Sequence, residues 1–97
     1  MNYVVLTGRL INIDENLTEE KRLNFTLAIN RYYKNEEGVY ETDFIKCKCF
    51  NNTAESTLEY CKIGDLVGVK GNLQNENDTM IVSVERLTFL STKKEED

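Results

Sequence analysis

Several residue patterns that mark enzymes and metal sites are absent from this chain of 97 residues. It has no histidine, and its three cysteines include no C-x-x-C pair, so the usual zinc-ligand patterns are missing. No glycine-rich phosphate loop follows an apolar run, and the carboxylates are scattered rather than paired for acid–base chemistry. The sequence therefore predicts no catalytic residue, no metal site and no cofactor, and an enzyme is the least favoured class of function.

Features of membrane and secreted proteins are absent as well. No apolar run approaches the roughly 20 residues that cross a bilayer as a helix. The start of the chain lacks the basic region and the small-residue cleavage site of a signal peptide. The odd number of cysteines argues against a disulfide framework and predicts three reduced thiols. These absences predict a cytoplasmic protein without membrane association.

Positive charge is scarce. Twelve Lys and Arg residues against seventeen Asp and Glu residues give a net charge of −5. A domain with this balance does not attract a polyanion through its overall field. Any affinity for nucleic acid must therefore come from a few well-placed cations and from stacking on aromatic rings.

The segment Tyr40–Phe50 carries the most information about function. Read with the two-residue period of a strand, one side carries Ile45, Cys47 and Cys49, which suit a core. The other side, which we call the ring–lysine face, alternates aromatic rings with lysines: Tyr40, Thr42, Phe44, Lys46, Lys48 and Phe50. Rings that stack on bases beside cations that contact phosphates are typical of single-strand binders. On this segment alone, a solvated face that packs on cross-strand neighbours or another subunit is a slightly favoured alternative.

The hydrophobic pattern predicts five strands and one short helix in the order β-β-β-α-β-β. The strands are predicted at 2–13, 23–30, 40–50, 66–74 and 80–90. The helix is predicted to start with Asn52 as N-cap and Glu55 in capping-box spacing, and to end with Gly64 at C′. A change of phase near Glu85 predicts a β-bulge.

This order is that of an all-β protein with one short helix, a five-stranded OB-fold barrel that binds oligonucleotides over its second and third strands. The ring–lysine face would then lie on the ligand surface. We predict one domain over residues 1–91, followed by a short charged tail at 92–97.

Four blocks of the sequence resemble the bacterial single-stranded DNA-binding protein family, in that family's order and spacing. The blocks are Val4–Leu10, Phe25–Arg31, Asp43–Cys47 and Gly64–Gln74. The resemblance extends over about 2–90. It implies an OB-fold that binds single-stranded DNA without strong sequence preference and serves DNA replication, recombination or repair. It also implies assembly into a homotetramer or dimer through the first strand.

The resemblance carries the family's DNA-binding positions onto five residues of this chain: Arg9, Arg31, Tyr33, Phe44 and Phe50. Lys46 and Lys48 are added as binding residues from their place on the ring–lysine face, and not from a family match.

The chain departs from the family at several of these places. Phe50 stands where relatives usually have tryptophan, and Asn51 and Asn52 follow where relatives are often basic. The predicted turn at 75–79 is much shorter than the family's hairpin arm, and the family's acidic tail does not follow, so partner enzymes recruited by that tail are not expected. The alternative function is an OB-fold adaptor subunit of a replication or mobile-element complex that has lost most of its DNA binding.

Overall fold

Alternating apolar residues pair the strands of this chain into a closed barrel. The computed structural model describes residues 1–14 and 19–92. Its elements are β1 (Val4–Ile13), β2 (Arg22–Lys34), β3 (Tyr40–Phe50), α1 (Asn51–Tyr60), β4 (Leu66–Glu76) and β5 (Thr79–Ser91). The strands close in the order β1-β2-β3-β5-β4, which confirms the predicted OB-fold. The predicted tail lies outside the described residues from position 93 onward.

β1 closes the barrel because it pairs with two strands along its length. Its first part, Val4–Arg9, is antiparallel to β4, and its second part is antiparallel to β2. The strand crosses closely over β2 at Gly8, where a Cβ atom would lie 2.9 Å from the carbonyl oxygen of Ala28. A residue with a side chain there would push β1 away from β2.

β3 and β5 form the parallel pair of the barrel. Their register consists of Cys47 opposite Val82 and Lys48 opposite Ser83. The antiparallel pairs β2–β3 and β4–β5 are much longer. The barrel is therefore two long hairpins that β1 joins on one side and a short parallel seam joins on the other.

The inward side chains form one apolar core. Its buried members are Leu10, Leu23, Phe25, Leu27, Cys47, Cys49, Ala54, Cys61, Val67, Val69, Val82 and Val84. Cys47 and Cys49 occupy the core positions predicted for them, and burial raises the pKa of their thiols to about 12 and about 11. All three cysteines are free.

A bulge curves β5 against β4. Lys70 pairs with Arg86 and Gly71 pairs with Val84, so that Glu85 is the extra residue on β5. This confirms the predicted bulge. A Cβ atom on Gly71 would overlap the backbone carbonyl of Ser83, so a glycine is needed where the two strands approach most closely.

The predicted ends of the helix are wrong. α1 starts directly after β3 with Phe50 as N-cap, without a side-chain cap from Asn52. The backbone turns at Asn51, whose φ is 53° and whose N–H donates to the carbonyl oxygen of Lys21 over 3.0 Å. Asn tolerates this left-handed conformation, so the chain enters the helix without the predicted capping box.

At its other end the helix stops before Gly64. Cys61 is the C-cap, and its N–H donates to the carbonyl oxygen of Thr57 over 3.0 Å. Gly64 lies in the following turn with a φ of 98°. Within the described chain, no helix combines the length and apolar character needed to cross a membrane.

Candidate nucleic-acid interface

The ring–lysine face lies on the outside of the barrel, because its neighbours along β3 point into the core. Its residues stand in register with small or polar side chains of β2: Phe44 with Ala28, Lys46 with Thr26, Lys48 with Asn24 and Phe50 with Arg22. Phe44 is 64% exposed. A large ring beside the short side chain of Ala28 leaves an open flat surface on which a base can stack.

β1 adds a cation to the same row of residues. Arg9 is in register with Ala28, which is in register with Phe44, so the arginine and the ring flank the alanine. Nη1 of Arg9 donates to the carbonyl oxygen of Gly64 over 3.2 Å, while the side chain stays exposed. The barrel thus brings Arg9 and Phe44 together from strands that are far apart in the sequence.

Two hollows lie on either side of Lys46, which lines both. The larger, of about 760 Å³, is lined mainly by polar side chains from β1 and β2, including those of Asn12, Arg22, Asn24 and Thr26. The smaller, of about 320 Å³, lies against Phe44 and is closed by Leu73 and Met80 of the β4–β5 hairpin. The arrangement offers a polar groove and an apolar pocket with one cation between them.

Lys48 lies on the predicted face but is only 8% exposed. Its Nζ atom lies 2.8 Å from Oε2 of Glu76 and 5.9 Å from the centroid of the Phe50 ring. Oε1 of Glu76 accepts a second hydrogen bond from Nη2 of Arg22 over 2.6 Å. The hydrogen bonds from Arg22 and Lys48 lower the pKa of Glu76 to about 2.

Arg31 lies on the other side of the β2–β3 hairpin from Phe44. Its Nε and Nη2 atoms lie 3.1 and 3.0 Å from the two carboxylate oxygens of Asp43, and Nη1 lies 2.7 Å from Oε2 of Glu41. Hydrogen bonding to Arg31 lowers the pKa of Asp43. Since Asp43 and Phe44 are successive residues of one strand, their side chains point in opposite directions. The structure therefore does not bring Arg31 together with the ring–lysine face.

The outer end of the β2–β3 hairpin, which we call the arm, carries exposed tyrosines. Tyr33 packs edge-on against Tyr32 with their ring centroids 5.1 Å apart, and Nζ of Lys34 lies 5.7 Å from the ring centroid of Tyr40. The register of β2 with β3 shifts between Asn30 and Lys34, and the strands pair again at Lys34 and Tyr40.

Three contributors to this surface were missed from the sequence: Arg22, Met80 and Glu76. Arg22 has the parity of Asn24 and Thr26, so extending the alternation by one step would have placed it on the outside. Met80 was assigned only to a strand. Glu76 gave no signal, because it reaches Lys48 across 28 positions of the chain.

Comparison with known proteins gives consistent results. A model of the single-strand binding protein family matches residues 1–88. Single-stranded DNA-binding protein 1 of Clostridium acetobutylicum is 39% identical over an alignment of 108 positions that covers 98% of each chain. Single-stranded DNA-binding protein B of Bacillus subtilis is 40% identical over 80 residues, 78% of this chain and 70% of that protein.

Other curated relatives are longer than this chain. The single-stranded DNA-binding protein of Bacillus cereus is 42% identical over 81 residues, which are 79% of this chain and 47% of that protein. Among solved structures, PriB from Ralstonia solanacearum superposes with a TM-score of 0.72 over 92% of this chain and 97% of its own, at 16% identity. That similarity supports the fold alone.

Proposed function

Because the chain belongs to the single-strand binding protein family, we propose that it binds single-stranded DNA without strong sequence preference. It would bind, in the cytoplasm, DNA strands that are exposed during replication, recombination or repair, and it would not catalyse a reaction. The observation that carries the proposal is the exposed ring of Phe44, which stands beside Ala28 and Arg9 on the outside of the barrel.

Stacking supplies most of the affinity in this proposal. A base stacked on an aromatic side chain contributes on the order of 1–3 kcal/mol. Phe44 and Phe50 on the ring–lysine face and Tyr33 on the arm offer three such positions. The apolar pocket of Leu73 and Met80 extends the surface beside Phe44.

Phosphate contacts are few in the same proposal. Arg9 and Lys46 are exposed and lie beside Phe44, so they are placed to meet the DNA backbone. Lys48 and Arg31 are already bound to carboxylates of the chain. Each phosphate neutralised by the protein adds roughly −0.7 to the slope of log affinity against log salt for single strands. The slope should therefore be shallow.

Assembly through β1 is part of the proposal. Tyr3, directly before this strand, and Val5 within it are exposed large hydrophobic residues. They support pairing of two copies along β1, as a dimer or as half of a tetramer. Light scattering on the protein–DNA sample would give the number of subunits.

The direct test is a fluorescence anisotropy titration of labelled oligo-dT at several salt concentrations. We expect binding at low salt and a shallow slope. Phe44→Ala should weaken binding roughly five- to a hundredfold, the equivalent of one lost stack. Tyr60→Ala is the matched control, because Tyr60 is an equally exposed ring on α1.

Failure of the folded wild-type protein to bind oligo-dT at low salt would rule the proposal out. That result would favour the adaptor function instead. Equal losses in Phe44→Ala and Tyr60→Ala would place the DNA elsewhere on the surface.

A further inference from the structure

One carboxylate of the β4–β5 hairpin joins two cations beside the Phe50 ring. Oε1 of Glu76 lies 2.6 Å from Nη2 of Arg22, and Oε2 lies 2.8 Å from Nζ of Lys48. The side chain of Glu76 is only 28% exposed, that of Arg22 22% and that of Lys48 10%. Each oxygen of the carboxylate thus accepts a hydrogen bond from one cation, in a partly enclosed site.

The fold fixes this arrangement from both sides. Glu76 is the last residue of β4 and pairs with Thr79 across a two-residue turn, Asn77–Asp78, whose φ angles are 51° and 63°. Positive φ angles at both turn residues are those of the tight hairpins that suit twisted strands. On the other side, Nε of Arg22 donates to Oδ1 of Asn24 over 2.8 Å, which orients the guanidinium.

The two cations lie where a bound strand would pass. Arg22 lines the polar groove and is in register with Phe50, and Lys48 contacts the same ring. A DNA strand whose base stacks on Phe50 brings its phosphates to this place. Two oxygens of a phosphate bind an arginine and a lysine in the same way as the carboxylate does.

We propose that Glu76 stands in for a DNA phosphate: it occupies Lys48 and Arg22 and thereby lowers the affinity and the salt dependence of single-strand binding. The inference rests on the proposed function and names the residue that tunes it. Because the chain supplies this anion itself, fewer counterions are released when DNA binds. Glu76 acts through the two cations, and it tunes the strength of binding rather than the choice of DNA sequence.

Glu76→Gln is the variant that tests this inference. Glutamine keeps the size of the side chain and one oxygen acceptor, so the hairpin retains its place. Glu59→Gln is the control, because it makes the same change of net charge at an exposed position on α1. Both variants and the wild type are titrated with oligo-dT from 50 to 200 mM salt, and circular dichroism checks that each is folded.

Glu76→Gln should bind more tightly than Glu59→Gln at 50 mM salt, with a slope steeper by about 0.7, which corresponds to one added phosphate contact. Its advantage should shrink by roughly two- to threefold between 50 and 200 mM. If the wild type binds DNA and Glu76→Gln binds with the same slope and the same affinity, the inference is overturned. A wild type that does not bind at all would overturn the proposed function instead. Equal gains in affinity for Glu76→Gln and Glu59→Gln would show that only the net charge of the protein matters, and would also overturn the inference.

Lys48→Met provides a second test, whose first comparison does not require Glu76→Gln to fold. In the wild-type background its effect should match that of Lys62→Met, which removes an exposed lysine after α1, because Nζ of Lys48 is already occupied by Glu76. In the Glu76→Gln background it should remove about half of the gain or more. A loss of affinity and slope in the single Lys48→Met variant, well beyond that of Lys62→Met, would mean that Lys48 contacts phosphate without release from Glu76, and the inference would be wrong.

Discussion

The two long hairpins of the barrel use their acidic residues in different ways. In the β2–β3 hairpin, Asp43 and Glu41 bind Arg31 of the same hairpin, on the side away from Phe44. In the β4–β5 hairpin, Glu76 reaches across to Lys48 of the other hairpin, on the ring–lysine face. The same pairing of charges therefore joins the two strands of the arm in one case and, in our proposal, occupies cations of the DNA-binding face in the other. The difference lies in which strand and which face carry the acid.

The largest expected effect is on the free energy of unfolding when a glycine of each hairpin is replaced. Gly71→Ala should lower the free energy of unfolding by about 1–3 kcal/mol, because the new Cβ atom overlaps the Ser83 backbone. Gly38→Ala at the tip of the arm meets open space and costs only the strain of a φ of 79°, about 1 kcal/mol. Urea denaturation of both variants measures the two values. A larger loss in Gly38→Ala would show that the arm, and not the bulge, is the more constrained region.

The pH dependence of stability separates the contribution of Glu76. Its pKa is about 2 in the folded protein against an ordinary 4.5, so the carboxylate stabilises the fold above 4.5 and loses this contribution as the pH falls towards 2. The melting temperature of the wild type should exceed that of Glu76→Gln at neutral pH, and the difference should shrink over this acidic range. Thermal melts at a series of pH values measure it. A difference that stays constant down to the lowest pH would mean that the ion pairs contribute no net stability.

The smallest expected effect lies in the arm. Asp43→Asn removes the charge that orients Arg31, at a partly exposed site, so global unfolding should change little. Amide hydrogen exchange should become a few-fold faster at Asn35, whose N–H donates to the carbonyl oxygen of Val39 at the arm's tip. Exchange in β4 and β5 should stay as in the wild type. Faster exchange in both hairpins would mean that their ion pairs form one cooperative unit.

The elements that local periodicity determines were predicted well. β3 spans Tyr40–Phe50 as the alternation indicated, and the bulge near Glu85 was visible as a change of phase. The start of α1 was not, because the support for Asn51 comes from the carbonyl of Lys21, which directly precedes the neighbouring strand β2. β2 was predicted to end at Asn30, since the shifted register that extends it involves residues of the opposite strand.

For the candidate site as well, local sequence patterns predicted some features, and contacts between distant residues determined the others. Parity placed Lys46, Lys48, Phe44 and Phe50 on one outer face, as observed. Parity could not show that the charge of Lys48 is matched by Glu76, because that contact depends on how the β4–β5 hairpin folds over the barrel. Sequence patterns thus assign a side chain to a face, whereas the tertiary fold decides whether its charge is available.

Because the parallel pairing between β3 and β5 is short, the reactivity of Cys47 can report transient opening of the barrel. Cys47 pairs with Val82 in that seam and is 2% exposed, and burial raises the pKa of its thiol to about 12. An alkylating reagent reacts with thiolate, so modification of this buried thiol requires an opening that exposes it. The rate of modification therefore records how often the protein opens, and its slowing by bound DNA would show that a strand lying across the face holds the hairpins together.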